Sequence, residues 1–308
     1  MHCPSSLHAL NAAQHADPDS LYRKLVARPG LHFDPQLQLW IAAEAASVRA
    51  LLDHPELGVR PPDEAVPLQL QGRAFGAVFA RWLRMRDDAG HAGEKAALQL
   101  ALAAWPPERV LQLAEATSRL AAQGGARHWQ WACLPCSIAG LLGFALPDLA
   151  AQRALLQHLA HWAAALRPGA SPQTLDAADA AVAALAPLDA QALALLWQSY
   201  EAGAGLLGNA WLTGATVEGT PPPIHHTRRF ARTDMQMAGV TLPRGACVLL
   251  LLVAEPALGF GHGRHRCPGQ DLALQIANIA LRHAPPRPPG LQPGYLPLPN
   301  VRIPELPL

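Results

Sequence analysis

Residues 260–269 read Phe-Gly-His-Gly-Arg-His-Arg-Cys-Pro-Gly, and this segment decides how the rest of the chain is interpreted. Arg264, His265 and Arg266 precede Cys267, and nearby positive charge stabilises a thiolate, which is the metal-binding form of cysteine. A helix is predicted directly after the segment, so free backbone N–H groups and the positive end of a helix dipole would face the sulfur. The glycines permit tight turns and close approach of the backbone to a flat ligand. The segment therefore predicts that Cys267 binds a metal as a thiolate.

A buried, unreactive cysteine in a glycine-rich turn is the alternative interpretation of these residues. The fixed spacing of several residue types around Cys267 argues against it. The segment is similar to the heme signature of the cytochrome P450 family, Phe-x-x-Gly-x-x-x-Cys-x-Gly, and matches it at every position. The resemblance implies heme b (iron protoporphyrin IX) as the cofactor, with Cys267 as the iron ligand. It also assigns cofactor contacts to Phe260, Gly261, His265 and Gly269.

The resemblance extends over most of the chain. A thiolate ligand pushes electron density onto a heme iron and favours O–O cleavage, so the implied chemistry is that of an oxidoreductase of the monooxygenase type. Five further segments of this chain also resemble patterns of the family: 33–41, 48–62, 84–95, 134–143 and 222–253.

Partners for the two heme carboxylates follow from the same resemblance, because partly buried carboxylates need basic residues or hydrogen-bond donors. His91 and Lys95 would serve one propionate, and a spacing of four residues places them on one face of a predicted helix. The family usually has arginine where Lys95 stands, and lysine lacks its bidentate geometry. His265 is a second candidate. Arg229 matches the arginine after the family's Pro-Pro-Val segment, with Arg228 as the alternative if the register shifts.

The predicted central helix lacks two side chains that the family normally carries. An acid and a threonine usually follow Ala-Gly and help deliver protons to iron-bound dioxygen. Here Gly205 and Leu206 stand in their places, and neither side chain has a polar group within reach of a proton acceptor. By position, Ala202, Gly203 and Gly205 form the catalytic segment, where the glycines would let the helix approach the heme or a ligand closely. Glu201 stands just before this segment.

Two further elements of the family pattern are missing. The Glu-x-x-Arg helix is absent, and Gly219 stands where its arginine is expected. Pro221 lies only sixteen positions after Gly205, which leaves too few residues for the usual two helices. The long connection before the heme loop is also nearly absent, since Val253 runs almost directly to Phe260. A shortened chain without the acid and alcohol favours peroxide-using or redox-neutral chemistry over ordinary dioxygen activation.

Composition is consistent with a mainly α fold that has a small β region, a reduced version of the cytochrome P450-like fold. The chain has 308 residues, of which half are apolar, with abundant alanine and leucine and sparse valine and isoleucine. We expect residues 1–308 to form a single heme-binding domain. A net charge of +1 gives no basic surplus for nucleic acid, and no uncharged apolar run reaches the length of a membrane span. Five cysteines without a spacing framework, and no secretory signal, predict a cytoplasmic protein.

Periodicity and turn residues predict the elements of the fold. A hairpin is expected over 31–42, and short strands over 228–230, 235–240 and 247–253. Helices are expected over 21–27, 45–52, 73–86, 91–104 and 270–282, with a succession of helices from 107 to 212.

Zinc binding is a weaker interpretation of other residues. Cys133-x-x-Cys136 has the spacing of zinc ligands, but no second pair lies at a suitable distance, so two core cysteines are favoured. A histidine cluster that joins His225 and His226 to His262 and His265 is disfavoured because the resemblance already uses His265.

The leading function is therefore a heme-thiolate oxidoreductase that acts on a small-molecule substrate, with a redox partner protein allowed. A non-catalytic heme-binding sensor, or a helper of a partner enzyme, is the alternative. The complete cysteine loop argues against a heme-free helper.

Overall fold

The structure is a computed structural model that describes residues 7–237 and 239–308. In that part of the chain the α-helices are α1 (Asp19–Val26), α2 (Ala45–Asp53), α3 (Ala74–Phe79), α4 (His91–Ala103), α5 (Pro107–Ala122), α6 (Gly125–Leu141), α7 (Leu149–Ala165), α8 (Pro172–Ala184), α9 (Ala190–Thr213) and α10 (Gln270–Leu281). The strands are β1 (His32–Asp34), β2 (Leu39–Ala42), β3 (Leu57–Gly58), β4 (His226–Ala231), β5 (Met235–Met237), β6 (Val240–Leu242) and β7 (Cys247–Leu251). The mainly α architecture with a small β region is confirmed.

Side-chain caps fix where several helices begin. The carboxylates of Glu44, Asp148 and Asp189 accept hydrogen bonds from the first free backbone N–H groups of α2, α7 and α9. Such caps satisfy donors that have no partner inside the helix. The central helix α9 ends at Gly214, which adopts the left-handed conformation (φ 71°) that favours glycine at this position.

The helical core is centred on α6, which packs between α5 and α9. Most residues of α6 are buried, and α10 closes this layer against α5, α6 and α9. Two fully buried tryptophans satisfy their indole N–H groups inside the layer: Trp129 donates to the Ala280 carbonyl at 3.3 Å and Trp162 to the Ala178 carbonyl at 3.0 Å. This arrangement avoids the cost of an unpaired buried donor.

The main sheet has the strand order β1-β2-β7-β4-β3. The predicted hairpin is confirmed, because β1 pairs antiparallel with β2 and His32 lies opposite Ile41. Strand β2 continues in parallel with β7, and β4 pairs antiparallel with β7. Residues 248–251 of β7 are all buried, as expected for a strand covered on both faces. The predicted strands around 228–230 and 247–253 therefore form the centre of this sheet.

The helix predicted over 73–86 is wrong in its second half. Helix α3 ends at Phe79, and the chain returns to a single 3-10 turn only at Leu83–Met85. Trp82 interrupts the helix in an extended conformation (φ −64°, ψ 121°), and its fully buried ring stacks on Trp197 at a centroid distance of 4.7 Å. The burial of this aromatic ring outweighs the local helical preference of the segment.

The segments expected to be missing are missing. Within the described residues, no helix lies between the end of α9 and the beginning of β4, where the family would place its Glu-x-x-Arg helix. Between β7 and α10 there are two short 3-10 turns, Pro256–Leu258 and Gly263–His265. Among the helices of residues 7–237 and 239–308, none is both long and apolar enough to cross a membrane.

Candidate functional site

The cysteine loop is closed by its own backbone. The Cys267 N–H donates to the Phe260 carbonyl at 2.8 Å, and the Gly261 N–H donates to the Leu258 carbonyl at 2.8 Å. Gly261 (φ 77°) and Gly263 (φ 61°) adopt left-handed conformations that other residues rarely tolerate. The loop holds Cys267 as a free, half-buried thiol immediately before α10.

Burial and the groups around the Cys267 sulfur shift its pKa in opposite directions. Burial raises the pKa of Cys267, whereas a hydrogen bond from the Gly269 N–H and the charges of Arg84, Lys95 and Arg266 lower it. Burial dominates in the protein alone, and the thiol form is therefore favoured. A bound metal ion reverses this balance, because its charge deprotonates a coordinating thiol. The donor and the three cations are the groups that a metal-bound thiolate needs.

Two predicted propionate partners lie on the face of α4 that meets this loop. The Lys95 Nζ donates to the Arg264 carbonyl at 2.6 Å and to the Gly263 carbonyl at 3.4 Å, so this side chain ties α4 to the cysteine loop. His91 lies one turn earlier and is buried, with its ring 4.6 Å from the ring of His265. The shared face predicted for His91 and Lys95 is therefore present.

Asp87 links several segments of the site, and the sequence did not identify it as a functional candidate. Its carboxylate accepts hydrogen bonds from the Val59 N–H at 2.7 Å and from His265 Nε2 at 2.7 Å. It also forms ion pairs with Arg264 at 2.8 Å and Arg232 at 3.4 Å, and 7% of its side chain is exposed. These contacts join the cysteine loop, the approach to α4 and the β3–β4 edge of the sheet.

The protonation states of Asp87 and His265 follow from burial and hydrogen bonding. Burial alone would raise the pKa of Asp87, but the hydrogen bonds from His265 and the Val59 N–H, with the charge of Arg264, hold that pKa well below its usual range. Burial lowers the pKa of His265 to about 4 in spite of the Asp87 carboxylate. At neutral pH we therefore assign an ionised Asp87 and a neutral His265 that donates its Nε2–H.

Two basic side chains of the site, Arg229 and Arg264, have hydrogen-bond donors that no acceptor of the protein satisfies. Arg229 is buried on β4, where burial lowers its pKa to about 10 and the Asp87 charge opposes this shift. The Nε groups of both Arg229 and Arg264 are buried without a hydrogen-bond partner. Two propionates would supply the missing negative charge and acceptors, so these residues fit heme. Arg228, the alternative to Arg229, is exposed, as expected for the next residue along a strand.

The glycines of α9 are explained by protein packing. A Cβ at Gly203 would lie 2.9 Å from the Leu134 Cβ of α6, and one at Gly205 would lie 2.7 Å from the Pro223 Cβ. Both glycines therefore allow α9 to approach neighbouring protein segments closely, while Ala202 is half-buried. The assignment of Ala202, Gly203 and Gly205 to the catalytic segment stays a prediction.

Two charged residues near the site were missed as functional candidates. Glu201 on α9 lies 3.5 Å from Arg167, and burial raises its pKa. Arg84 bears a charge that lowers the pKa of both Glu201 and Cys267. The sequence includes Arg84 in a segment that resembles the family but does not single it out. Arg84 lies in a connecting segment, where the neighbouring residues do not indicate which way a side chain points.

The histidines considered for zinc are engaged separately. His225 contacts the Tyr22 hydroxyl at 2.5 Å, His226 contacts the Pro299 carbonyl at 2.9 Å and His262 pairs with Asp53 at 3.2 Å. Cys133 and Cys136 are buried, and burial raises the pKa of both thiols. Across residues 7–237 and 239–308, no group of three or more His, Cys, Asp or Glu side chains is arranged to hold a metal ion.

Comparison with solved structures defines the class of fold to which this site belongs. P450BioI, in complex with an acyl carrier protein ligated with hexadec-9Z-enoic acid, gives a TM-score of 0.73 at 20% identity over 94% of this chain and 97% of that chain. CalO2 gives 0.74 at 17% identity over 92% and 93%, and the P450 heme domain of Tepidiphilus thermophilus gives 0.73 at 16% over 97% and 95%. No protein-family model and no curated protein matches the sequence.

The chain therefore has the cytochrome P450 fold. More particularly, it is a divergent version of that fold, which has the cysteine loop and its basic surroundings but no helix in the described residues between α9 and β4.

Proposed function

We infer that this protein is a heme-thiolate oxidoreductase of the cytochrome P450 type that binds heme b and acts on a small organic substrate. The observation that carries this inference is the free thiol of Cys267, held in a backbone-closed loop beside a hydrogen-bond donor and three cations. No observation favours a non-catalytic sensor or helper.

The residues of the chain have distinct tasks in this proposal. Cys267 binds the iron as a thiolate, and Phe260, half-buried in the same loop, shields the sulfur from water. His91 and Lys95 would hold one propionate, and Arg229 and His265 are the further candidates. Lys95 also fixes the loop through its carbonyls. When bound, heme supplies an iron centre that receives electron density from the thiolate and can activate an oxygen–oxygen bond.

The type of reaction that we favour follows from the lack of proton-transfer side chains in the predicted catalytic segment of α9. Gly205 and Leu206 provide no group that donates or accepts a proton, and hydrogen-bond reach is a requirement for general acid catalysis. Chemistry that needs no protein-delivered proton at this position is therefore favoured. A peroxide brings its own protons, and a redox-neutral dehydration or isomerisation needs no external oxidant. An electron-donor protein is required only if dioxygen is the oxidant.

The test is the absorption spectrum of the heme-loaded protein in its ferrous–CO state. The wild type should give the red-shifted band of thiolate ligation, and Cys267→Ala should abolish it. Cys247→Ala is the matched control, because Cys247 is also free and half-buried but lies on β7. A wild type without the red-shifted band, or a Cys267→Ala variant that retains it, would refute the proposal. Turnover with peroxide, compared with turnover with an electron-donor system, then distinguishes the two types of chemistry.

A further inference from the structure

Helix α4 presents an apolar face that the described residues leave open to solvent. Among the residues of α4 only His91 and Leu102 are buried, whereas 74% of Leu100 is exposed. Two residues turn a helix by about 200°, so Leu100 points away from the body of the protein that Leu102 contacts. Residues 96–107 contain no charged side chain, and most of them are exposed. A helix that is apolar on all sides is expected to be covered, so the sequence of α4 indicates a partner.

The outward face of α4 forms a narrow apolar ridge. Residues three or four positions apart share a helix face, and those around Leu100 are exposed alanines. The α4 ridge therefore consists of Ala96, Ala97, Leu100 and Ala103. The two charges of α4 are directed elsewhere, because Glu94 pairs with Arg86 at 2.8 Å and Lys95 Nζ donates to the Arg264 carbonyl at 2.6 Å.

A groove between α5 and α10 provides a matching concave surface. The α5–α10 groove has a volume of about 620 Å³ and is open to solvent along its length. Pro107 and Leu111 of α5 form one wall and Ile279 of α10 lies on the other, with 39% of Leu111 exposed. Two charged side chains, Glu108 and Arg282, also line the groove. An apolar helix face with a projecting leucine fits a groove of this kind.

The α4 ridge and the α5–α10 groove adjoin each other. Residues 104–106 alone separate α4 from α5 in the chain. At the beginning of α10, a Cβ at Gly269 would lie 3.7 Å from the Leu102 Cδ1 of α4. A chain that carries a ridge beside a groove can pair with its own copy about a two-fold axis, because each ridge then enters the groove of the other copy.

The chemistry of this surface favours a second copy over other occupants. Permanent homodimer interfaces are apolar and poor in charge, whereas electron-transfer complexes are small and depend on charge complementarity. A helix that lies on a membrane needs a polar face rich in lysine and arginine, and the one lysine of α4 is tied to the cysteine loop.

The area available is sufficient for a specific dimer. Helix α4 has 13 residues and is therefore about 20 Å long and 10 Å wide, so that half of its surface covers roughly 300 Å². Two ridges packed into two grooves would bury about 1,200 Å², which is the lower end of the range for stable interfaces.

We propose that two copies of this chain form a two-fold dimer, in which the α4 ridge of each copy lies in the α5–α10 groove of the other. This interface is next to the cysteine loop, because Lys95 of α4 contacts that loop and α10 follows Cys267. An electron-donor protein can then reach this surface only by competing with the second copy. The proposal goes beyond the proposed function and does not depend on it.

Sedimentation velocity of the full chain, with heme supplied, tests the dimer up to about 100 µM protein. The wild type should sediment with twice the 32.8 kDa mass of one chain. Leu100→Lys should raise the dissociation constant by at least about a hundredfold, because the buried leucine is lost at two symmetry-related contacts. Leu68→Lys is the matched control, since 72% of Leu68 is exposed but it lies on the 3-10 turn Leu68–Leu70, and it should stay dimeric.

A mixing experiment tests the ridge-in-groove arrangement itself. Leu111→Glu alters the groove and should also weaken self-association. In a mixed dimer of Leu100→Lys and Leu111→Glu, one ridge and one groove of wild-type sequence face each other, and the new lysine faces the new glutamate. The mixture should therefore associate at least about tenfold more tightly than either variant alone.

Three results would overturn the proposal. The first is a wild type that stays monomeric at about 100 µM, which would leave α4 to another partner such as an electron-donor protein. The second is a dimer that Leu100→Lys and Leu68→Lys weaken equally. The third is a mixture that associates no better than its components, which would rule out the ridge-in-groove arrangement. Circular dichroism of each variant separates loss of the dimer from unfolding, and sedimentation does not depend on the ferrous–CO band.

Discussion

Replacing Asp87 with asparagine should destabilise the protein by removing the one negative charge that joins three parts of the site. Breaking a buried ion pair by removing one partner costs about 3–5 kcal/mol. Arg264 and Arg232 keep 32% and 37% of their side chains exposed, so water takes over part of their solvation. Asparagine also retains one acceptor for the Val59 N–H. We therefore expect a loss of roughly 2–3 kcal/mol in the free energy of unfolding.

The pH dependence of that loss identifies its cause. The pKa of Asp87 is lowered in the folded protein, so the carboxylate contributes stability above the unfolded pKa of about 4. This contribution is lost as pH falls through the folded pKa. The difference between the wild type and Asp87→Asn should therefore be constant from neutral pH down to about pH 5 and should shrink below about pH 4.

Urea denaturation from pH 3 to pH 7 measures this difference directly. Asp88→Asn is the control, because the adjacent carboxylate is exposed and pairs with Arg86 at the surface, where ion pairs contribute little. The reasoning is refuted if the two variants lose equal stability at pH 7. It is also refuted if the Asp87→Asn difference stays undiminished at pH 3.

Three further changes have outcomes that the structure specifies. Lys95→Met removes the contacts with the loop carbonyls, so heme should dissociate faster during transfer to apomyoglobin, whereas Lys95→Arg should retain it. In the heme-free protein, burial raises the pKa of Cys267; alkylation by iodoacetamide should therefore be slower than for a free thiol at pH 8 and accelerate at more alkaline pH, and an unhindered rate would contradict the burial. Gly205→Ala forces a Cβ to within 2.7 Å of Pro223 and should cost about 1–3 kcal/mol in urea denaturation, whereas Gly93→Ala has nothing within 4 Å and should stabilise α4 slightly. Equal effects of the two glycine substitutions would show that the close packing of α9 is not what requires Gly205.

Local patterns in the sequence were sufficient for much of the fold. The hairpin of β1 and β2 follows from alternation around the turn after Asp34, and helix α10 follows from the apolar spacing after Cys267. The cysteine loop could also be predicted, because all of its characteristic residues lie within ten consecutive positions. Such features depend on neighbours along the chain and are therefore visible in a single sequence.

Features that depend on distant residues were not predictable. The partners of Asp87 lie 28 and 178 residues away at Val59 and His265, so the contacts that make Asp87 link these segments cannot be recognised from sequence spacing. The break in the helix predicted over 73–86 has the same origin, because Trp82 finds its aromatic partner on α9. Tertiary contacts decide such positions, and they outweigh local propensity.

The parallel pairing of β2 with β7 has a consequence for how the protein folds. Trp40 and Val248 lie side by side in this pairing although they are more than 200 residues apart in the chain. Closing so long a loop is entropically costly, and contacts of this sequence separation slow folding. The helices between them depend on shorter-range contacts and can form earlier. We therefore expect the centre of the sheet, and with it the cysteine loop that follows β7, to assemble late, so that the cofactor meets a chain whose helical part is already in place.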